Sequence, residues 1–565
     1  MHARLSSIAG FCLACCLVLP APAHSIELKP DPYQPAHRGG TLRLTADASG
    51  GTLDPQINYV SIFWQVFANT SDGLTTFAKL NGEASTTIVP DLADTLPAPQ
   101  DAGRTYVFHL HPGIRFSTGK LVTPADVVAS MQRIFKVGSP TAGSFYGGIV
   151  GAPACLKDPA HCTLAGGVEA DAAAGTVTFH LTRPDGEFFD KLAMAHATVL
   201  PADTPAHDLG NTPPAATGPY RIASYDSNHG MILVRNPYFR VWSPVAQPDG
   251  YADRIQYDFG LSDEAQTTAV ENGQYDWMFD NKPLDRLGEL GDRHPDQVHI
   301  QPLFAIFYVP MNVNIPPFNN IKARQAVNYA INRQAMALFY GGTAIADPLC
   351  EMVPAGISGR SNQCFYTKGA DFDHPAPAWQ KPDLARARAL VDESGTKGAK
   401  VTLIVPNRAI DMSMGIYLQS TLRKIGYDTN VKFVTDAIQF AYIQNTNNKV
   451  QISLTDWYAD YPAASNFLDD LFGCENFHPG SDSSINMSGL CDKPIQNLMD
   501  RAGPLSATDP KAGAALWSQV SNDIMRSGAA APLIQMKYVD FVSKRLGHYT
   551  YTSLYHMLFS QVWVQ

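Results

Sequence analysis

Two aspartates four positions apart, Asp456 and Asp460, stand among Trp457, Tyr458 and Tyr461 in the stretch LTDWYADYP (454–462). Three chemistries are open to such a pair: general acid/base work, reception of a cationic ligand group, or an acidic turn. Acid/base work on a glycoside requires both carboxylates to face one sugar at a defined separation. Pro462 closes the stretch and argues against a continuous helix that would hold the two on one face. The other two readings depend on what elements carry the stretch.

Other residues imitate reactive motifs. Ser117-Thr118-Gly119-Lys120 is an S-x-x-K, the nucleophile signature of serine β-lactamases and penicillin-binding proteins. That chemistry needs the serine at a helix start and S-x-N and K-T-G companions. Here STGK precedes Thr123-Pro124 in a turn, Asp226-Ser227-Asn228 has the wrong order, and K-T-G is absent. Gly113 to Lys120 misses the P-loop spacing by one residue, and Leu121 replaces the Ser or Thr that would hold magnesium. The 16 histidines do not cluster. His109 and His111 share one face of a strand, which suits a surface or core role better than a metal. No cofactor and no resident metal are expected.

The elements around the aspartates carry more information. KVTLIVP (400–406), a helix over 412–426 ending at Gly426, and NVKFVT (430–435) form a βαβ unit, followed by a further helix and a strand over 450–456. Ligands of open α/β sheets sit beyond the carboxyl ends of strands. The loop from Asp456 to Pro462 begins at such an end, which favours a ligand-facing role over a solvated turn. Elsewhere, strands are predicted over 104–111, 176–182, 220–226, 230–236 and 254–259, and helices over 124–135, 322–340 and 383–394. Thr123, Pro124 and Asp126 give the first of these helices its start signal. Strands and helices mix without strict alternation, so the fold class is α/β with mixed sheets.

Composition bounds the rest. The chain has 565 residues, 45% of them hydrophobic, more than one core needs, so two or three domains are expected. A net charge of −10 without a basic run excludes nucleic acid as a partner. The N-terminus reads as a secretion signal: His2 and Arg4, an apolar run from Ile8 to Leu19, then Ala21-Pro22-Ala23, with cleavage near Ala23. The run is too short to span a bilayer. A lipid-anchored alternative through Cys15 or Cys16 is weaker, because Cys12 stands three places before Cys15 where leucine belongs and too little apolar chain precedes it. Residues 24–38 read as a flexible leader. Cys155, Cys162, Cys350, Cys364, Cys474 and Cys491 then remain in three sequence-local pairs. Several connectivities are open to six cysteines; in an oxidising compartment neighbour pairing is expected, each bridge contributing roughly 2.5–3 kcal/mol.

Four segments together resemble one family, the periplasmic oligopeptide- and dipeptide-binding proteins (extracellular solute-binding family 5) that feed ABC importers. TGPYRIASYDSNHGMILVRNPYFR (217–240) is similar to its T-G-P-Y, two-strand, R-N-P-x-Y/F pattern. FHLHPGIRFSTGKLVTPADVVASMQRI (108–134), FNNIKARQAVNYAINRQAM (318–336) and LDPQINYVSIFWQVFANTSDGL (53–74) resemble three further signatures, the last with Asp72 where members usually carry Glu. They follow the family's order over nearly the whole chain after the signal. The resemblance implies a "Venus flytrap" of two lobes with an inserted extra domain: lobe one from 39–70, 210–300 and 530–565, the insertion at 71–209, and lobe two at 301–529. Two crossover strands would form the hinge. It further implies a periplasmic, monomeric binding protein, not an enzyme, that captures short peptides and delivers them to an inner-membrane ABC permease. The alternatives are a same-fold binder of another solute, an oligosaccharide or a nickel or other metal chelate, and, from a different class, a periplasmic hydrolase.

Within this resemblance the LTDWYADYP stretch is similar to a segment whose aspartate holds the peptide's α-ammonium, and the matching position is Asp460. Trp457, Tyr458 and Tyr461 would keep that carboxylate dry. Asp456 is expected to accept from nearby backbone amides. Tyr59, Phe63 and Trp64 join Trp457 and Tyr458 as candidate cleft linings, and a Cys474–Cys491 bridge would brace the loop after the site.

Overall fold

The computed structural model describes residues 28–280, 284–482 and 484–565. The expected signal over 1–23, and residues 24–27 of the leader, lie outside them.

The first sheet shows how the signature segments act as scaffold. Thr41–Ala46 alternates, with Leu42 and Leu44 fully buried, and pairs in parallel with Arg254–Phe259 and with Trp277–Met278. The hairpin Tyr220–Asp226 and Gly230–Arg235 completes five strands. This sheet packs on Ile62, Phe63, Val66 and Phe67 of the helix Ser61–Thr70. In TGPY, a Cβ on Gly218 would stand 2.8 Å from the carbonyl oxygen of Asn69, so glycine allows the backbones to meet. Asn236 Nδ2 donates to Gly218 O at 3.0 Å and ties the far end of the hairpin to its start.

Residues between 71 and 209 contain a separate antiparallel sheet of Thr105–His109, Thr176–His180 and Val168–Asp171. It is covered by the helix Pro124–Lys136, whose Val127, Met131 and Ile134 meet Phe108 and Phe179. The Asp126 carboxylate accepts from Thr123 N at 2.8 Å, the start signal expected of this helix. The S-x-x-K motif lies in the turn before it, where Lys120 pairs with Asp203 at the surface.

The remaining chain builds the largest core around two sheets. Asp428–Val434, Lys400–Pro406 and Ile452–Ser453 are parallel, the expected βαβ unit and its neighbour. The strand expected over 450–456 is broken. Its first part joins this parallel sheet, and Thr455–Tyr458 crosses to pair antiparallel with Val298–Pro310. The switch occurs at Leu454, whose N–H still donates to Ile404 O at 2.9 Å. The helix expected over 322–340 is likewise two, Ile321–Ala330 and Arg333–Phe339, because Asn332 caps the second by accepting from Ala335 N at 3.1 Å.

Two long strands, Val298–Pro310 and Ala530–Phe541, pair from Val298↔Phe541 to Pro310↔Ala530. At one end Phe541 and Val298 touch Val270, Met278 and Leu290, beside the first sheet. At the other, Leu303 to Val309 and Ala530 to Met536 belong to the largest core. The chain therefore passes between its two halves on a paired ribbon. Most of 530–541, which the resemblance assigned to lobe one, packs with the second half.

Cys155–Cys162, Cys350–Cys364 and Cys474–Cys491 are bonded. Residues 28–38, expected to be flexible, are docked. Tyr33 stacks on Tyr251 at 4.7 Å, His37 stacks on Trp563 at 4.1 Å, and Asp31 meets His548 at 2.9 Å. Aromatic residues inside the polar leader supply the apolar contact that its composition conceals. Among the described residues, no helix is long and apolar enough to cross a membrane.

Candidate functional site

Thr455–Tyr458 is the edge strand of its sheet, and the loop that leaves it turns toward the first half of the molecule. From the other side, the loop before helix Ser61–Thr70 presents Tyr59. Asn58 shapes that loop: its Nδ2 donates to Gly50 O and Thr52 O at 2.7 Å, its Oδ1 accepts from Val60 N, and its carbonyl accepts from Trp64 Nε1 at 2.9 Å. Tyr59 OH donates to Asp460 Oδ1 across a separation of 401 residues.

A cavity of ≈ 380 Å³ lies at this junction. Asp460, Trp457, Tyr458, Tyr59 and Trp64, five of the nominated residues, line it. A second cavity of ≈ 360 Å³ shares Asp456 and Tyr458 with the first, so the two are ends of one cleft between the halves. Phe63, also nominated, is buried in the first core and faces away from the cleft. Tyr461 is displaced too: it inserts among the residues of the 71–209 region, 5.6 Å from Phe145.

Asp460 is buried, and its carboxylate is held from both sides. Oδ1 accepts from Tyr59, and Oδ2 accepts from Asn466 Nδ2 at 2.9 Å. Asn466 is saturated. Its Nδ2 also donates to Asp470 Oδ2 at 2.7 Å, and its Oδ1 accepts from Asp460 N at 3.0 Å and Trp457 Nε1 at 3.3 Å. Among the described residues no lysine, arginine or histidine pairs with Asp460. Burial raises its carboxyl above the ordinary range, and the two hydrogen bonds pull it back. Asp470 is pushed up much further, by burial and then by the charges of Asp469 and Asp460. Of these two carboxyls joined through Asn466, Asp470 is thus the one held more strongly toward its protonated form. Burial, followed by the Asp460 charge, raises Tyr59 well above its ordinary value, so its hydroxyl stays a donor.

Asp456 differs from the expectation. Its partner is a guanidinium, and among the described residues no backbone amide donates to it: Arg408 donates to Asp456 Oδ2 at 3.0 Å and, through Nε, to Asp411 Oδ2 at 2.6 Å. Arg408 follows the carboxyl end of Lys400–Pro406, the same rule that pointed to Asp456, so a signal for it existed. Phe304 and Tyr538 of the long strands, and Ser553, Leu554 and Tyr555, also line the first cavity. Nothing in the local sequence singles them out. Asp72 is not in the cleft: it is buried, accepts from Thr217 Oγ1 at 2.6 Å and stands 3.8 Å from Lys79 Nζ. Among the described residues no group of three His, Cys, Asp or Glu is arranged to hold a metal.

Comparison with known proteins places this geometry. Residues 87–479 match the family described as bacterial extracellular solute-binding proteins, family 5 Middle. The periplasmic oligopeptide-binding protein OppA of Escherichia coli is 24% identical over 487 residues, 82% of this chain and 83% of that one. The dipeptide-binding protein of Escherichia coli is 25% identical over 451 residues, 75% and 76% of the two chains. Among solved structures, the clavulanic acid biosynthesis oligopeptide binding protein 2 superposes with a TM-score of 0.83 at 23% identity, covering 94% of this chain and 96% of its own. The fold is thus a solute-binding-protein fold.

Proposed function

Because the chain belongs to the bacterial extracellular solute-binding proteins of family 5, we propose that it captures short peptides in the cleft between its two halves. It then delivers them to an inner-membrane ABC permease. The observation that carries this reading is Asp460: a buried carboxylate without a cationic partner, facing a cavity that both halves line. A carboxylate in that setting is costly unless an ammonium completes it. The α-ammonium of a peptide would fit between Asp460, the Tyr59 hydroxyl and the ring of Trp457, with Trp64 and Tyr458 as walls. Relatives whose names specify oligopeptides and dipeptides support the ligand class. The action is binding without turnover, in the periplasm, as a monomer, and the domain division expected from the resemblance goes with it except over 530–541, most of which packs with the second half.

The aromatic lining by itself would also suit an oligosaccharide or another non-peptide solute. The unpaired Asp460 favours an ammonium over either. A thermal-shift screen of the mature protein against peptides, oligosaccharides and metal chelates tests this, since a ligand that binds only the folded state raises Tm by mass action. The expected result is a rise with free peptides. A rise with sugars or chelates alone would replace the reading, and catalytic turnover of a peptide would favour a hydrolase.

A further inference from the structure

The two ends of the cleft differ in charge. Among the described residues, the cavity around Asp460 is lined by no lysine, arginine or histidine, and its only charged members are Asp456 and Asp460. The rest is mostly aromatic, including Tyr59, Trp64, Phe304, Trp457, Tyr458 and Tyr538. Behind the wall stand further carboxyls, Asp470 joined to Asp460 through Asn466. Lys191, which faces Asp470 from the 71–209 region, is already held by Asp185 at 2.6 Å. The other cavity contains Arg408 and Lys537, the latter 3.0 Å from Asp347, together with Asp263, Asp411 and Asp456, so it is the end that carries basic side chains.

We propose that the cavity around Asp460 sorts peptides by the charge of their first side chain, admitting lysine, arginine and aromatic residues and rejecting aspartate and glutamate. This rests on the reading that the peptide's ammonium sits at Asp460. That contact neutralises one carboxylate. A neighbouring basic side chain then meets the π-faces of the ring wall, which attract a cation, while Asp456 at the rim is held by Arg408. An aromatic side chain packs on the same rings. An acidic side chain would leave water for a wall that supplies phenol and serine hydroxyls and, among the described residues, no cation. Selection arises as much from this desolvation penalty as from the attraction.

The test is isothermal titration of the mature protein with Lys-Ala-Ala, Phe-Ala-Ala, Ala-Ala-Ala and Glu-Ala-Ala at neutral pH, at low and high salt. The expected order is Lys and Phe tighter than Ala, with Glu weakest and about tenfold or more below Lys, the Lys–Glu gap narrowing with salt. Binding of all four peptides with Glu within about twofold of Lys, or tighter, overturns the charge sorting and leaves the peptide reading intact. Failure of all four to bind overturns the peptide reading and the sorting together.

Discussion

Asn466 decides what Asp460 can do. One amide orients the Asp460 carboxylate, the Asp460 N–H, the Trp457 indole and the Asp470 carboxyl at once. In Asn466→Ala those groups lose their partner in a buried site, which costs about 1–3 kcal/mol for each group left unsatisfied. The variant is expected to unfold at lower urea and to bind peptide more weakly, measured by denaturation and calorimetry on the same sample. Unchanged stability would remove Asn466 from this role. At this scale the sequence was informative about residue type and poor about partners. The spacing of Asp456 and Asp460 suggested two similar groups, yet one is paired with Arg408, 48 positions earlier, and the other with Tyr59, 401 positions earlier. Local pattern cannot see such separations. For the same reason Phe63 and Trp64, adjacent in sequence, part ways: Phe63 is buried in the first core, while Trp64 packs at that core's edge and lines the cleft.

At the scale of elements, strands and capped helices were legible because their signals are local: alternation, Pro124 after Thr123, Gly426 at a helix end. Breaks were not. The turn at Leu454 depends on which sheet each half of the strand can join, and only the assembled sheets define that. The signature helix segment illustrates the same point through Arg333. Fully buried, it donates from Nε to Pro532 O at 2.8 Å and from an amino group to Asn328 O and Tyr366 O at 3.3 Å each, fastening helix, long strand and loop. Burial lowers its pKa to about 10, so it remains charged at neutral pH. Arg333→Leu is expected to lose about 3 kcal/mol or more, since several buried carbonyls lose their donor together. Urea unfolding checks this, and peptide affinity of the protein that remains folded should be unchanged. A shift of less than about 1 kcal/mol would mean that water or another donor replaces the guanidinium.

The whole molecule holds its halves together over a set of buried acids. Glu187, from the 71–209 region, faces Asp185, Asp190 and Lys191 on its own segment and Tyr461 on the other half, where Asp469 and Asp470 in turn face Lys191. Burial, and then Asp185, raises Glu187 to about 8, and burial raises Asp190 to about 7, against ordinary values of 4.5 and 3.8. Between those values the folded protein holds protons that the unfolded chain has released. Stability therefore falls as pH rises through this window. His196, lowered to about 4 by burial, acts in the opposite direction only below about 6.5. From pH 6.5 to 8.5 the protein is thus expected to lose on the order of 1–2 kcal/mol, seen as a falling Tm, and Glu187→Gln should flatten the profile. A Tm that rises over that range would contradict the assignment. The family-level architecture was readable from four scaffold signatures, whereas this acidic seam was not, because its members come from distant segments that meet only across the cleft.

The central claim is that Asp460 receives the positive end of a peptide, and it is tested most directly by calorimetry of one peptide in two forms. The free-amine tripeptide should bind the native protein with micromolar or tighter affinity, and its N-acetylated form should bind weakly or not at all. Asp460→Ala should cost the free form roughly 2–5 kcal/mol, because an ammonium would then be buried without its partner. Equal affinity for the free and acetylated peptides would contradict the claim.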